Sequence, residues 1–218
     1  MKILCVGYRN WSKSIYYTLQ NDLNKRKFKF FFHFEKKSLY KKILKTKPNL
    51  ILFYGWSWII KKKIYQKYKC LMLHPSPLPK YRGGSPIQNQ IIRNKKNSMV
   101  SIFQINNIID GGGIYFQKRF SLEGTLDEIF SRIIKLGIEG TKKILNKKIL
   151  PKRQNHKIAT YYSRIKIKDS EITLQELKFK LPAYIYNKLR MLQDPYPNPF
   201  IRLRNGKKLH IKNFYISK

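Results

Sequence analysis

The sequence predicts an α/β fold: a Rossmann-like, mostly parallel sheet with helices on both faces, followed by a small C-terminal α+β appendage. Three observations carry this expectation. Short apolar runs alternate with longer segments of mixed polarity through the first half, the pattern of βαβ units. The chain has 218 residues, 42% of them hydrophobic, which is long and apolar enough to bury a core. From about His156 the pattern changes, which divides the chain into a core of residues 1–155 and an appendage of residues 156–218.

Lys2–Gly7 reads as a buried strand closed by glycine, and the residues from Ser12 to about Lys25 carry Ile15, Tyr16, Leu19 and Leu23 at helical spacing, with Ser12 or Asn10 as cap. Phe28–Phe34 is an aromatic strand, Leu39–Leu44 a short helix stopped by Pro48, and Leu50–Tyr54 a third strand closed by Gly55. A short basic helix is expected over Ile60–Tyr68 and a fourth strand over Cys70–Leu73. His74-Pro75-Ser76-Pro77-Leu78-Pro79 cannot be regular structure, because its prolines remove backbone donors and fix φ. Ser85-Pro86 reads as an N-cap and first turn of a helix to about Arg93. Val100–Ile105 and Ile114–Phe120 are further strands, and Thr125–Asn146 is a long amphipathic helix opened by a Thr125/Glu128 capping box. In the appendage, Ala159–Ile165 reads as extended, Leu174–Leu192 as helical with a break near Pro182, and Phe200–Leu203 with Leu209–Ile216 as a hairpin about Asn205-Gly206.

Composition narrows the function classes. No apolar run is long enough to span a membrane, and the apolar run before Gly7 reads as a first strand, too short for the core of a secretory signal. The two cysteines, Cys5 and Cys70, fall in expected buried strands, which suits a reducing cytoplasm. The net charge of +36 would suit a polyanionic partner. However, Lys, Ile, Asn, Tyr and Phe are abundant together, as AT-rich codons deliver, so a nucleic-acid partner is allowed rather than required. No carboxylate occurs between Glu35 and Asp110, which singles out Asp110.

His74 is the first residue beyond a buried strand, where open α/β sheets place their active crevices. Asp110 follows the next expected strand in Ile109-Asp110-Gly111-Gly112-Gly113, and glycines let such a loop approach a ligand. If those two strands are adjacent and parallel, both loops meet at one sheet edge, where a carboxylate can orient an imidazole and favour its cation. Spacing alone serves equally well a His74 that ends a strand and an Asp110 that makes an Asx turn.

The stretch from His74 through Tyr81-Arg82-Gly83-Gly84-Ser85-Pro86-Ile87-Gln88 resembles the signature loop of the folate-dependent formyltransferases, a family that includes methionyl-tRNA formyltransferases and sugar N-formyltransferases. Ile109-Asp110-Gly111-Gly112 is similar to its second signature, and Tyr54-Gly55-Trp56-Ser57-Trp58-Ile59-Ile60 to its cofactor-side loop. The resemblance implies the formyltransferase fold and N10-formyltetrahydrofolate as formyl donor, with no metal. It implies His74 and Asp110 as catalytic residues, and Tyr54, Gly55, Trp56, Ser76, Arg82, Gly83, Ile109 and Gly111 around the donor. Two positions depart from it: Gly113 stands where relatives often have a second Asp, and the family has a third catalytic residue, an Asn two places before the His, where this chain has Met72. Residues two apart leave one face of a strand, so Met72 keeps the place without a donor for the oxyanion. Ser76, Gln88, Asn89 and Gln104 are the candidate substitutes.

For the acceptor, Gly7-Tyr8-Arg9-Asn10-Trp11, Tyr161-Tyr162-Ser163-Arg164 and Arg190 through Phe200 resemble formyltransferases acting on amino sugars in surface-polysaccharide pathways. Only about sixty residues follow His156, fewer than the linker and β-barrel domain of the tRNA-acting relatives would need, which favours the expectation of a small acceptor. The expected acceptor is therefore a nucleotide-linked amino sugar, with Arg9, Trp11, Gln88 and Arg190 as substrate-side residues, in a protein free to act as a homodimer. Asp194-Pro195-Tyr196-Pro197 reads as a rigid turn docking the tail. The alternatives are a methionyl-tRNA formyltransferase with a shortened C-terminal region, and a weakened relative serving as a basic RNA-binding protein.

Overall fold

The computed structural model describes residues 1–215. The first strand, β1 (Lys2–Val6), alternates its side chains between two cores, and Gly7 ends it where any side chain would collide with the Tyr54 carbonyl. Helix α1 (Asn10–Asp22) starts two residues before the expected Ser12. Its N-cap is Arg9 and no side chain caps it; Ser12 instead donates its hydroxyl proton to the Arg9 carbonyl at 2.7 Å. Next come β2 (Lys29–His33), α2 (Leu39–Thr46), β3 (Leu50–Tyr54), the single turn α3 (Lys62–Tyr65) and β4 (Lys69–His74).

The proline loop then leads through β5 (Arg82–Gly83) into α4 (Pro86–Ile91). Ser85 stands at the expected N-cap position before Pro86, but its side chain makes no cap bond; its Oγ accepts instead from the Ile165 amide at 3.1 Å. Strands β6 (Asn97–Gln104) and β7 (Ile114–Ser121) follow, then α5 (Leu126–Asn146). Thr125 and Glu128 form the capping box, each side chain satisfying the other's backbone N–H.

The sheet order is β2-β1-β3-β4-β6-β7. The first four strands are parallel, and both faces are covered. Ile3, Cys5, Leu52 and Leu71 pack with α1 and α5 on one side. Leu4, Val6, Ile51 and Phe53 pack with α2 and α3 on the other. One expectation fails here: β6 runs antiparallel to β4, pairing Leu71 with Gln104 and His74 with Ser101. Apolar runs look alike in either direction, and the direction is set by where α4 delivers the chain. Because β6 ends beside the middle of β4, residues 105–113 must fold back to return Asp110 to His74.

The later residues are laced into this core. Lys152 and Ile114 exchange both backbone hydrogen bonds at 2.8 Å. Strand β8 (Tyr161–Tyr162) pairs in parallel with β5. The expected helical stretch is α6 (Leu174–Phe179) and α7 (Pro182–Met191), broken at Pro182, and α7 packs against α4. Strands β9 (Phe200–Arg202) and β10 (Lys208–His210) form the hairpin about Asn205-Gly206; the expected end of its second strand, Ile216, lies outside the described residues. Among the described residues no helix is long and apolar enough to cross a membrane.

Candidate active site

A cavity of about 510 Å³ opens between the ends of β3 and β4, the 105–110 loop and the C-terminal residues Arg164, Tyr196 and Pro197. His74 and Asp110 both line it. His74 is buried, with 5% of its surface exposed, and Nε2 lies 2.8 Å from the Tyr81 carbonyl oxygen. A carbonyl can only accept, so Nε2 carries a proton and the neutral ring keeps its lone pair on Nδ1. That atom lies 3.7 Å from Asp110 Oδ2. The carboxylate is therefore placed to steady an imidazolium, and the free nitrogen to take a proton.

Asp110 is held at both ends. Its Oδ2 accepts from the Gly83 amide at 2.8 Å, and its backbone sits at φ +49°, which Asp tolerates better than most residues. Gly112 completes the return of the loop, since any side chain there would strike the Gln104 carbonyl. Asp110 is the only carboxylate-bearing residue on the cavity wall among the described residues, and Arg9 and Arg164 stand on the same wall.

The walls differ in character. Near the end of β3, Gly55, Trp56 and Trp58 line the cavity, with the two indoles edge to face at 4.7 Å. Ile109 and Gly83 also reach it, as do Met72 and Phe103. On the other side Trp11 stacks on Phe130 and Phe130 on Tyr196, each pair 6.2 Å apart. The Arg9 guanidinium lies 4.9 Å from the Tyr8 ring and 5.2 Å from the Tyr196 ring. Burial raises the Tyr196 phenol above its usual range, so it remains a neutral hydroxyl. The Asp194–Pro197 turn thus does more than dock the tail: it supplies part of the wall.

Five expected site residues stand off the cavity. Arg82 is fully buried, and its guanidinium donates to Tyr161 Oη and Gln154 Oε1, both at 2.7 Å. The loop sequence looks exposed, but pairing with β8 encloses it. Tyr54 points into the core and shares a 2.9 Å hydrogen bond with Thr141, burial raising its phenol. Ser76 is fully buried and donates to the Lys80 carbonyl at 2.9 Å, tying the proline loop to itself. Gly111 turns inward, its amide donating to the Ile108 carbonyl at 3.0 Å. Arg190 donates to the Leu122 carbonyl at 2.7 Å and to Asn187 Oδ1 at 2.8 Å, so it clamps α7 onto the core.

Met72 sits on the same face of β4 as His74 and lines the cavity with a thioether. Of the four candidate substitute donors, Ser76 is committed as above. Asn89 Nδ2 is committed to the Gly84 and Ser163 carbonyls at 2.9 and 3.0 Å. Gln104 is off the wall and accepts from Tyr115 Oη at 3.2 Å. Gln88 alone lines the cavity; among the described residues its buried Nε2 has no partner within hydrogen-bond distance, and its amide acts on the Tyr196 phenol, whose burial-driven rise it partly offsets. Sequence reasoning missed Arg164 and Tyr196 as wall residues, though both lie in tail blocks that stood out by pattern. It missed Gln154 altogether.

A family model described as "Formyl transferase" matches residues 23–145, which include His74 and Asp110. The methionyl-tRNA formyltransferase of Rickettsia massiliae (strain Mtu5) is 30% identical over 164 residues, covering 72% of this chain and 53% of that protein. The chain thus spans about half the length of the curated relatives it matches. Among solved structures, methionyl-tRNA formyltransferase from Clostridium thermocellum superposes with a TM-score of 0.83 at 32% identity, over 97% of each chain. A sugar N-formyltransferase from Shewanella sp FDAARGOS_354 superposes with a TM-score of 0.78 at 18% identity, over 100% of this chain and 99% of that one.

Proposed function

We propose, from the premise that the chain belongs to the formyl transferase family, that it moves a formyl group from N10-formyltetrahydrofolate to a primary amine. The observation that carries this reading is the pair of buried His74 and half-buried Asp110 on the wall of one cavity, inside the matched residues. The cavity fits such a donor: the paired indoles of Trp56 and Trp58 and the apolar side chains of Ile109 and Phe103 offer flat, dry surface to a bicyclic ring. The donor supplies an activated formyl carbon. The chain's residues do the rest. As the amine nitrogen bonds to that carbon it becomes acidic, and His74 Nδ1 accepts its proton. Asp110 favours the resulting imidazolium. The same proton can then pass to the departing nitrogen of the donor as the old carbon–nitrogen bond breaks. The Gln88 amide is the donor group available to charge developing on the formyl oxygen.

For the acceptor, the reading best supported is the amine of an aminoacyl-tRNA, methionyl-tRNA as in the relatives named above. Identity of 30% and 32% to two such enzymes supports it, against 18% to the sugar enzyme. The +36 charge suits a polyanionic acceptor. A nucleotide-linked amino sugar is the second reading. It is favoured by Arg164 and Tyr196, through which the C-terminal region contributes to the cavity wall in a way that suits a small acceptor with a diphosphate.

The test offers N10-formyltetrahydrofolate with either charged initiator tRNA or a nucleotide-linked amino sugar and follows formylated product. Formylated methionyl-tRNA, with a rate that falls steeply as salt rises, supports the first reading. Product on the sugar alone transfers support to the second. Tight RNA binding with no product from either acceptor sinks the enzyme reading and leaves a basic binding protein.

A further inference from the structure

We infer that Gln154 is a positioning residue for the reacting pair, holding Asp110 by its backbone while Arg82 holds Gln154. The inference rests on His74 and Asp110 being that pair, and it extends the machinery beyond the residues matched by the family model.

The geometry is a chain of single-purpose contacts. Gln154 Nε2 donates to the Asp110 carbonyl at 2.9 Å and to the Gly112 carbonyl at 2.7 Å, using both amide protons. Its Oε1 accepts from Arg82 Nη2 at 2.7 Å. Gln154 is 7% exposed and Arg82 not exposed at all, so water cannot replace either partner cheaply. A planar primary amide is the one neutral side-chain group that combines two N–H donors on one nitrogen with a carbonyl acceptor. The two carbonyls flank Gly111, so the amide staples the tightest part of the loop, next to the left-handed backbone of Asp110. Released from the staple, that residue can relax toward its preferred backbone region and carry Oδ2 away from the Gly83 amide and His74.

Arg82 explains why the staple does not swing. Its side-chain partners among the described residues are Tyr161 Oη, Gln154 Oε1 and His156 Nδ1, with no carboxylate among them. A buried guanidinium so placed gives the amide oxygen a charge-assisted bond that fixes which way the amide faces. Arg82 also belongs to β5, next to Gly83, whose amide holds the Asp110 carboxylate. Backbone and side chain of Asp110 are thereby referred to the same two residues of β5.

Hydrogen exchange of three neighbouring amides tests this without depending on turnover. The Gly83 amide donates to Asp110 Oδ2, whereas those of Arg82 and Gly84 donate to the Thr160 and Tyr162 carbonyls. In Gln154→Leu the Gly83 amide is expected to exchange at least about tenfold faster, with Arg82 and Gly84 unchanged. Gln154→Glu guards against simple loss of folding: a carboxylate still accepts from Arg82 but cannot donate to either carbonyl, so Gly83 protection should fall there too. With turnover measured, kcat is expected to drop by about 10- to 100-fold while KM for the donor changes little. In an Asp110→Ala background Gln154→Leu should then cost less than about twofold more. Unchanged Gly83 exchange overturns the inference, as does joint loss at all three amides, which would mean a merely structural tie to β8. So does an equal kcat penalty with and without Asp110. If the unsubstituted protein transfers no formyl group while Gly83 alone loses protection, the functional reading fails and the staple survives as geometry.

Discussion

His74 Nδ1 stands 3.7 Å from Asp110 Oδ2, beyond hydrogen-bond range but close enough for strong attraction once the ring is charged. Both groups are already engaged elsewhere, His74 Nε2 with the Tyr81 carbonyl and Asp110 Oδ2 with the Gly83 amide. The loop from Tyr81 to Gly83 thus holds both members of the pair. The gap between them leaves Nδ1 free to take a proton from a substrate, with the carboxylate as counter-charge.

Met72 is expected to limit the rate. Asn at this position would stand on the face of β4 that carries His74 and would bring an amide donor to the cavity. One oxyanion donor is worth about 10²–10³ in rate. Met72→Asn, added to a site already using Gln88, should therefore raise kcat by at least about tenfold. Gln88→Leu should lower kcat in the unsubstituted protein and lower it less in the Met72→Asn background. Steady-state kinetics of the four proteins checks this, and strictly additive effects would count against a shared target.

Arg9 is expected to act on the acceptor through charge. It stacks on Tyr8 and Tyr196 and stands on the cavity wall. Arg9→Ala should raise KM for a phosphate-bearing acceptor by about tenfold, the loss of one charge-assisted contact, and leave KM for the folate donor unchanged. The effect should shrink at high salt. Equal changes in both constants would place Arg9 elsewhere.

Much of the fold could be read from local signals because local signals cause it. The Thr125/Glu128 box, the break at Pro182 and the Asn205-Gly206 turn each act within a few residues. The direction of β6 could not be read, since an apolar strand has the same pattern either way up. The site divides in the same way. His74 was visible because it ends a buried strand before a proline loop, and Asp110 because no other carboxylate is near it in sequence. The burial of Arg82, expected beside the donor, could not be read, because the strand that encloses it comes 79 residues later. Gln154 gave no signal at all, since its meaning lies entirely in three groups that the fold brings to it.

Neither cysteine is expected to react in the folded protein. Burial pushes the Cys70 thiol up to about 12 and raises Cys5 well above its ordinary range, and both lie in the sheet core. A thiol reagent at neutral pH should label neither residue until the chain is unfolded, when both should react. Labelling of Cys70 under native conditions would show that β4 opens far more readily than its burial allows.

Glu176 is expected to stabilise the C-terminal region in a pH-dependent way. Its own desolvation raises its pKa, but the Lys188 ammonium at 2.8 Å, the Thr173 amide and Tyr184 together lower it. A lowered folded value means the contribution is complete above the unfolded value of about 4.3 and is lost as pH falls through the folded value. Glu176→Gln leaves Lys188 buried without its carboxylate, at a cost of about 1–3 kcal/mol. At about 2–4 °C per kcal/mol, thermal unfolding at neutral pH should come several degrees earlier. The gap between the two proteins should narrow below pH 4, and a constant gap would remove the charge from the explanation.

Single-turnover formyl transfer with saturating N10-formyltetrahydrofolate, comparing the unsubstituted protein with His74→Ala and Asp110→Asn, tests the central claim most directly. The account predicts a loss of about 10²–10⁴ for His74→Ala, with donor binding retained, and a smaller loss for Asp110→Asn. Transfer at an undiminished rate in His74→Ala would contradict it and place the chemistry outside this cavity.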